Sequence, residues 1–322
     1  MKLNHVFLRL LDTCNLECAH CYASCGPKAT AAIALVDALK LVDELADIGT
    51  SHVHLEGGEA LIYDGIWELI DAFNRVKIYP AITSNGLSVK EKTLERLVGK
   101  LSKLTFSVDG HKASVHDQIR RRPGSFDRVV AAIAASKRLG IPTHMISVVW
   151  KDSVDHVDEI VELAAGLNVD RLLLFSCGKI GAAEKNWAEL QPTQEAWANY
   201  LNRVRQLAKK HKWIWFEVDR VRRGDLPRFI GPAYRPICTI EPRDSVTIDP
   251  LGDVYPCGYF IPEKKMLGNI KERRLSEIVA RSQDGERYSG ACKNPWSQQD
   301  GIVDLCKLYS VNGAMIDSID AS

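Results

Sequence analysis

Short apolar runs alternate with amphipathic stretches along the first two thirds of this chain. Runs at 4–10, 52–56, 78–83, 103–108, 143–150 and 169–175 have the length and the bounding turn residues of strands. Between them, 30–48, 65–76, 89–100, 125–139, 153–166 and 193–211 carry apolar residues at helical spacing. The first helix presents Val36, Leu39, Val42 and Leu45, and Gly49 stops it. Pro192-Thr193 marks the start of the last. Consecutive βα units predict an α/β fold with a parallel sheet and right-handed crossovers. Six units close only part of a circle. The expectation is a partial (β/α)6 barrel, TIM-like, over residues 1–218, with a wide mouth at the strands' C-terminal ends.

The pattern changes near residue 213. Lys212–Val218 is aromatic-rich and reads as a further strand, whereas 219–237 carries five arginines and three prolines and reads as a connector. From 238 to 322 a small α+β domain is expected. Asp244–Ile248 and Val254–Cys257 form a hairpin about Pro250 and Gly252, and a helix comes next near Leu275–Ser282.

Charge excludes some functions. The 322 residues hold 42 Lys+Arg against 41 Asp+Glu, a net charge of +1, which gives no electrostatic case for nucleic acid or a membrane surface. No apolar run reaches the length of a membrane span. Nine cysteines without an export signal point to a reducing, cytoplasmic setting, where thiolates serve metals or catalysis.

Cys14, Cys18 and Cys21 form a C-x3-C-x2-C triplet, followed by Tyr22. It sits just after the first strand, at the barrel's mouth. Three thiolates cannot claim all four irons of a [4Fe–4S] cluster, so one iron would stay open for a reactive ligand. The alternative is a zinc site with His20 as fourth ligand, although no second tight cysteine pair follows nearby. Gly57-Gly58-Glu59 follows the second strand. Its glycines allow close approach of backbone to a ligand, and Glu59 supplies a carboxylate for an ammonium group. Glu56 and Glu59 also read as a solvated strand end. Ser84, Asn85, Ser107 and Asp109 end the third and fourth strands with groups suited to a ribose or an amino acid. Turn chemistry accounts equally well for Asn85-Gly86 and Asp109-Gly110. Arg120 faces a carboxylate or belongs to a surface run with Arg121 and Arg122.

These motifs, in this order and spacing, resemble the radical SAM superfamily over roughly residues 3–215. The carrying segment is Cys14-Asn15-Leu16-Glu17-Cys18-Ala19-His20-Cys21-Tyr22, with Gly57-Gly58-Glu59, Thr83-Ser84-Asn85-Gly86, Ser107-Val108-Asp109-Gly110, His116-Asp117-x-x-Arg120 and Gly124-Ser125-Phe126 behind it. The family often has Gly where Arg121 stands. The resemblance implies a [4Fe–4S] cluster on Cys14, Cys18 and Cys21. It also implies S-adenosylmethionine held by Tyr22, Gly57, Gly58, Glu59, Ser84, Asn85, Ser107, Asp109 and Arg120. A reductant such as flavodoxin or ferredoxin would drive formation of a 5′-deoxyadenosyl radical that abstracts hydrogen from an unactivated carbon.

The later cysteines resemble a SPASM/Twitch extension. Cys238, thirteen residues, Gly252 and Cys257 match its opening, and Leu267-Gly268-Asn269-Ile270 with Leu275-Ser276-Glu277-Ile278 matches its segment after the hairpin. Only Cys292 and Cys306 remain downstream. The resemblance therefore implies the shorter Twitch form with one auxiliary [4Fe–4S] cluster on Cys238, Cys257, Cys292 and Cys306, with Ser289 where a close C-x2-C pair would begin. Buried structural thiols are the alternative. Cys177, which follows the sixth strand, and Cys25 are candidate hydrogen donors to a substrate radical, or else packed thiols.

The expected reaction is epimerisation or dehydrogenation of a natural-product precursor, either a sugar or cyclitol or a ribosomal peptide. With the first strand starting at residue 4, the reading leans toward a small molecule, or a peptide presented by a separate protein. A peptide cross-linking maturase and a non-catalytic iron–sulfur scaffold are the alternatives.

Overall fold

The computed structural model describes residues 3–211, 220–222, 245–258, 261, 266–282 and 302–304. All six expected strands are present: β1 (His5–Arg9), β2 (His52–Glu56), β3 (Ala81–Ser84), β4 (Lys103–Ser107), β5 (Thr143–Val149) and β6 (Arg171–Ser176). The expected helices stand between and after them as α1 (Leu35–Asp47), α2 (Ile66–Arg75), α3 (Glu91–Leu97), α5 (Ser125–Arg138), α6 (Val157–Gly166) and α9 (Gln194–Lys210). Thr193 caps α9 by accepting the Ala196 amide at 3.1 Å.

Three short helices were not expected from the sequence: α4 (Ala113–Arg120), α7 (Ala182–Lys185) and α8 (Trp187–Leu190). Each is too short for periodicity to declare it. α4 matters most, because it carries His116 and Arg120 to the site and ends with Arg121 in the left-handed region at φ 53°. Glycine enters that region without strain, so the family's frequent glycine there has a backbone reason.

The C-terminal hairpin forms as β8 (Ser245–Ile248) and β9 (Asp253–Tyr255), with β10 (Gly268–Asn269) and α10 (Leu275–Ser282) after it. It does not stand apart from the barrel. β8 pairs in parallel with β1, extending one nine-stranded sheet in the order β10-β9-β8-β1-β2-β3-β4-β5-β6. The start of the expected connector, Arg220–Arg222, is instead a strand, β7, paired antiparallel with β11 (Ile302–Asp304). The strand expected at Lys212–Val218 lies outside the described residues.

Strand parity divides the sheet into two faces. Val6, Val53, Leu55, Ile82, Leu104, Phe106, Met145 and Leu172 are register neighbours across β1–β6, and all belong to the core shared with the helices. Burying each such side chain contributes roughly 1.5–3 kcal/mol. The other face lines the lumen and is mostly polar. It presents His5, Phe7 and Arg9 from β1, His54 and Glu56 from β2, and Thr83 from β3. Lys103 and Ser107 come from β4, His144 from β5 and Arg171 from β6.

Burial pushes His54 down to about 3, helped by Lys103 and His144. It pushes His144 to about 4, with Lys103 and Arg171 adding repulsion, and His116 to about 4, with Arg120 adding repulsion. These imidazoles stay neutral when folded and take up protons only on unfolding. Their contribution is intact above about pH 6.5 and is lost progressively as pH falls toward their folded values. Urea midpoints measured at about pH 7.5, 6 and 5 should therefore decline stepwise. A flat profile would mean these rings are not buried neutral.

Candidate active site

The cysteine triplet lies in a loop that leaves β1 and folds back on itself. The Cys14 amide donates to Gly26 O at 3.1 Å, the Asp12 amide to Ala31 O at 2.8 Å, and the Ile33 amide to Leu10 O at 2.9 Å. The Gly57-Gly58-Glu59 turn after β2 runs alongside. Gly58 N–H donates to Leu11 O at 2.7 Å and Glu59 N–H to Thr13 O at 3.2 Å. A Cβ at Gly57 would stand 2.4 Å from Leu11 O, and one at Gly58 2.1 Å from Thr13 O. The close approach expected of these glycines is thus to the cysteine loop's own backbone.

Glu59 is buried and its carboxylate is already engaged. Oε2 accepts the Asn85 amide at 2.8 Å and Oε1 accepts the Leu61 amide at 3.3 Å. Burial raises its pKa, with the Asn85 amide, the Ser84 hydroxyl and the Leu61 amide opposing. Glu59 so joins the end of β2 to the end of β3. Ser84 accepts the Gly86 amide at 3.0 Å. The Asn85 Nδ2 group donates to Asn15 Oδ1 at 2.7 Å and points at Cys14 Sγ, 3.7 Å away.

On the opposite side, α4 meets the loop where Ala19 N–H donates to Ile119 O at 2.8 Å. The Arg120 guanidinium sits 2.6 Å from Asp109 Oδ2, while its Nη1 lies 3.8 Å from Cys18 Sγ. Asp109 has no exposed surface. It also accepts the Val148 amide at 2.9 Å and lies 3.3 Å from His20 Nε2. Burial alone would raise its pKa, but Arg120, His20 and His116 overcome this and hold it below the usual carboxylate range. Within the protein, Asp109 Oδ2 faces Arg120 and His20, and Oδ1 takes the Val148 amide. Arg120 does face a carboxylate, that of Asp109.

Each sulfur of the triplet faces at least one N–H donor: Asn85 and the Leu16 amide on Cys14, Arg120 on Cys18, and the Ala23 and Cys25 amides on Cys21, the last at 3.3 Å. Burial pushes Cys14 up to about 11 and Cys18 up to about 12, so both need a metal to become thiolates at neutral pH. A hydrogen bond from Cys25 pulls Cys21 down. Among the described residues no three His, Cys, Asp or Glu side chains close on a point, as a single ion demands. His20 Nε2 stands on Asp109, and its Nδ1 is buried without a hydrogen-bond partner. The set fits a cluster instead, whose irons are spread over separate thiolates and whose sulfurs accept tuning hydrogen bonds.

The remaining candidates are scattered. Tyr22 is half-exposed and donates to Glu56 Oε1 at 3.0 Å, with the Arg9 guanidinium 5.9 Å from its ring. Ser107 ends β4 on the lumen face, nearly buried. Cys25 is buried beside Arg9, which also holds Asp12 at 2.7 Å. Cys177 is buried at 4% exposure among Ala19, Val115, Ile119, Trp150, Ala183 and Leu190. Both thiols are buried, Cys25 within the cysteine loop itself and Cys177 just past the C-terminal end of β6. Cys257 is half-buried, while Cys238, Cys292 and Cys306 lie outside the described residues. Sequence reasoning missed Arg9 and Asp12. Their signal was charge at the end of an otherwise apolar strand.

This geometry and the sequence comparisons agree. The radical SAM superfamily's model matches residues 8–164, and that of SPASM, an iron–sulfur cluster-binding domain, matches residues 238–308. The chain belongs to the radical SAM superfamily and carries a C-terminal SPASM-type domain. Its cofactors are those of that family: a [4Fe–4S] cluster with S-adenosylmethionine, and auxiliary iron–sulfur binding in the second domain.

Among curated relatives, it is similar to mycofactocin maturase MftC of Mycolicibacterium smegmatis, 30% identical over 81% of this chain and 66% of that protein. It therefore spans a little less than two thirds of that relative. It is also similar to the AdoMet-dependent heme synthase of Methanosarcina barkeri, 24% identical over 87% of this chain and 84% of that one. The PqqA peptide cyclase of Rhizobium meliloti is 25% identical over 92% and 77%. Among solved structures, Streptococcus suis SuiB bound to precursor peptide SuiA shares the fold, with a TM-score of 0.72, 18% identity and coverage of 91% and 67%. No helix among the described residues is long and apolar enough to cross a membrane.

Two substitutions probe this arrangement. Gly58→Ala forces Thr13 away from β2 and should cost about 1–3 kcal/mol, read as a lower denaturant midpoint together with reduced iron uptake. Arg120→Gln leaves the Asp109 carboxylate buried without its cation and should cost roughly 3–5 kcal/mol. Adding Asp109→Asn should recover part of that loss in the same unfolding measurement.

Proposed function

We propose that this chain modifies a ribosomally made peptide by radical chemistry. The observation that carries the reading is its similarity to a maturase and a peptide cyclase over at least four fifths of its length. Support thus shifts from the small molecule expected from the sequence to the peptide alternative.

The work is divided among several groups of residues. Cys14, Cys18 and Cys21 would hold the cluster, with Asn85, Arg120 and the Cys25 amide directed at their sulfurs. Tyr22, Gly57, Gly58, Ser84 and Ser107 would border the S-adenosylmethionine site at the mouth, while Glu59 and Asp109 would keep its walls in place. When bound, the two cofactors supply a 5′-deoxyadenosyl radical that removes hydrogen from an unactivated carbon. Burial of Cys177 and Cys25 disfavours return of a hydrogen atom from the protein, and with it epimerisation. Cys238, Cys257, Cys292 and Cys306 would hold one auxiliary [4Fe–4S] cluster of the Twitch form, and flavodoxin or ferredoxin in the cytoplasm would supply electrons.

A tetrapyrrole is the second reading, favoured by the heme synthase match. The test is anaerobic reconstitution, reduction with dithionite, and incubation with peptides encoded beside the gene or with a tetrapyrrole. We expect 5′-deoxyadenosine together with a mass loss on one peptide, both abolished by Cys18→Ala. Without 5′-deoxyadenosine the chain is a scaffold. A modified tetrapyrrole with unmodified peptides would replace the peptide reading with the second one.

A further inference from the structure

The cysteine loop holds one thiol beyond the triplet. Cys25 stands four residues past Cys21, and the chain between them turns back on itself. Ser24 N–H donates to Cys21 O at 3.2 Å, and Ser24 takes φ 53°, in the left-handed region that residues other than glycine seldom enter. This reversal carries the Cys25 amide to 3.3 Å from Cys21 Sγ. An N–Cα bond adds about 1.5 Å, so Cys25 Cα lies within about 5 Å of that sulfur. The two thiols also share a hydrogen bond. Bridging them asks for rotation of side chains, not for movement of distant backbone. The other two thiols are directed elsewhere: Cys14 Sγ faces Asn85 and Cys18 Sγ faces Arg120. Both feel Cys21 as a charge.

Exposure divides the pair into two roles. Cys21 is half-buried and Cys25 is buried. The Cys25 sulfur sits between Arg9 Nη2 and Asp12 Oδ1, each 3.9 Å away. An oxidant arriving from solution therefore meets Cys21 first, with Cys25 sheltered behind it. A thiol oxidised without a neighbour climbs to sulfinic acid, which ordinary reductants do not reverse, whereas an adjacent thiol stops the climb at a disulfide.

We propose that Cys21 and Cys25 form an oxidation site: when the loop has lost its cluster, they close a reversible disulfide that spares Cys21 from irreversible oxidation. Hydrogen peroxide first converts the Cys21 thiol to a sulfenic acid, releasing one water. The Cys25 thiol then attacks the Cys21 sulfur, the S–O bond breaks and a second water leaves. Each thiol gives up one electron and one proton, and the peroxide is reduced to water. A dithiol reopens the bridge by exchange and frees Cys21 again. The inference concerns the loop alone and holds whatever the substrate.

The test uses the full chain, reconstituted and then stripped of iron by a chelator without oxygen. It is treated with a slight excess of hydrogen peroxide, alkylated, and cut with chymotrypsin after Tyr22, which parts Cys25 from the triplet. Mass spectrometry should find the two fragments still joined in the wild-type chain, in Cys14→Ser and in Cys18→Ser, but not in Cys21→Ser. Dithiothreitol should part them, and the chain should then take up as much iron and sulfide as before oxidation. Cys25→Ser, measured against its own uptake before peroxide, should lose most of that uptake, with Cys21 recovered as sulfinic acid. Fragments that stay joined in Cys21→Ser, fragments that separate without reductant, a bridge between chains, or full recovery of uptake by oxidised Cys25→Ser would each overturn the proposal. If Cys25→Ser fails to fold, the linkage map of the wild-type chain and the triplet variants decides.

Discussion

Two backbone hydrogen bonds organise this molecule: Gly58 to Leu11 and Glu59 to Thr13. They lay the turn after β2 against the start of the cysteine loop so closely that no side chain fits between. From there the constraint spreads outward. Glu59 passes it to Asn85 at the end of β3, and Asn85 passes it on to Asn15 and Cys14. The loop's other flank rests on α4, where Arg120 reaches from Asp109 to Cys18. Three strand ends and one short helix thus fix the positions of three sulfurs. Geometry of this kind needs rigid support, because a reactive centre tolerates little misplacement.

Electrostatics at this end of the barrel are arranged as nested layers. Asp109 is buried and ionised because Arg120 and His20 stand against it, and Arg120 in turn brings positive charge to Cys18. A thiolate cluster carries net negative charge, so a cation held close to it offsets part of the cost of burial. On the other side of the triplet, Arg9, Asp12, Tyr22 and Glu56 form a second polar group.

The six strands and the longer helices were legible in the sequence because apolar periodicity and turn residues agree along them. β1 with its Cys14 triplet is the clearest case. α4 was not legible: eight residues with two charges show too little periodicity, and its meaning lies in where it puts Arg120. The partnership of β8 with β1 was also hidden, since nothing in a local pattern says which distant strand will be its neighbour. For the site, residue types were readable but directions were not. Gly57, Gly58, Glu59 and Asp109 stand where the motifs place them, yet they bond to the protein's own loops. Cys177 looked poised because it follows a strand, but the residues that bury it come from Ala19, α4, Trp150, α7 and α8.

The pairing of β8 with β1 has a consequence for how the chain matures. β1 leaves the ribosome well before β8, so the edge that β8 covers stays open until residues 245–248 have emerged. Long-range parallel pairing of this kind is slow to form and leaves an unpaired edge exposed meanwhile. Over that interval the cysteine loop is tethered to a half-completed sheet.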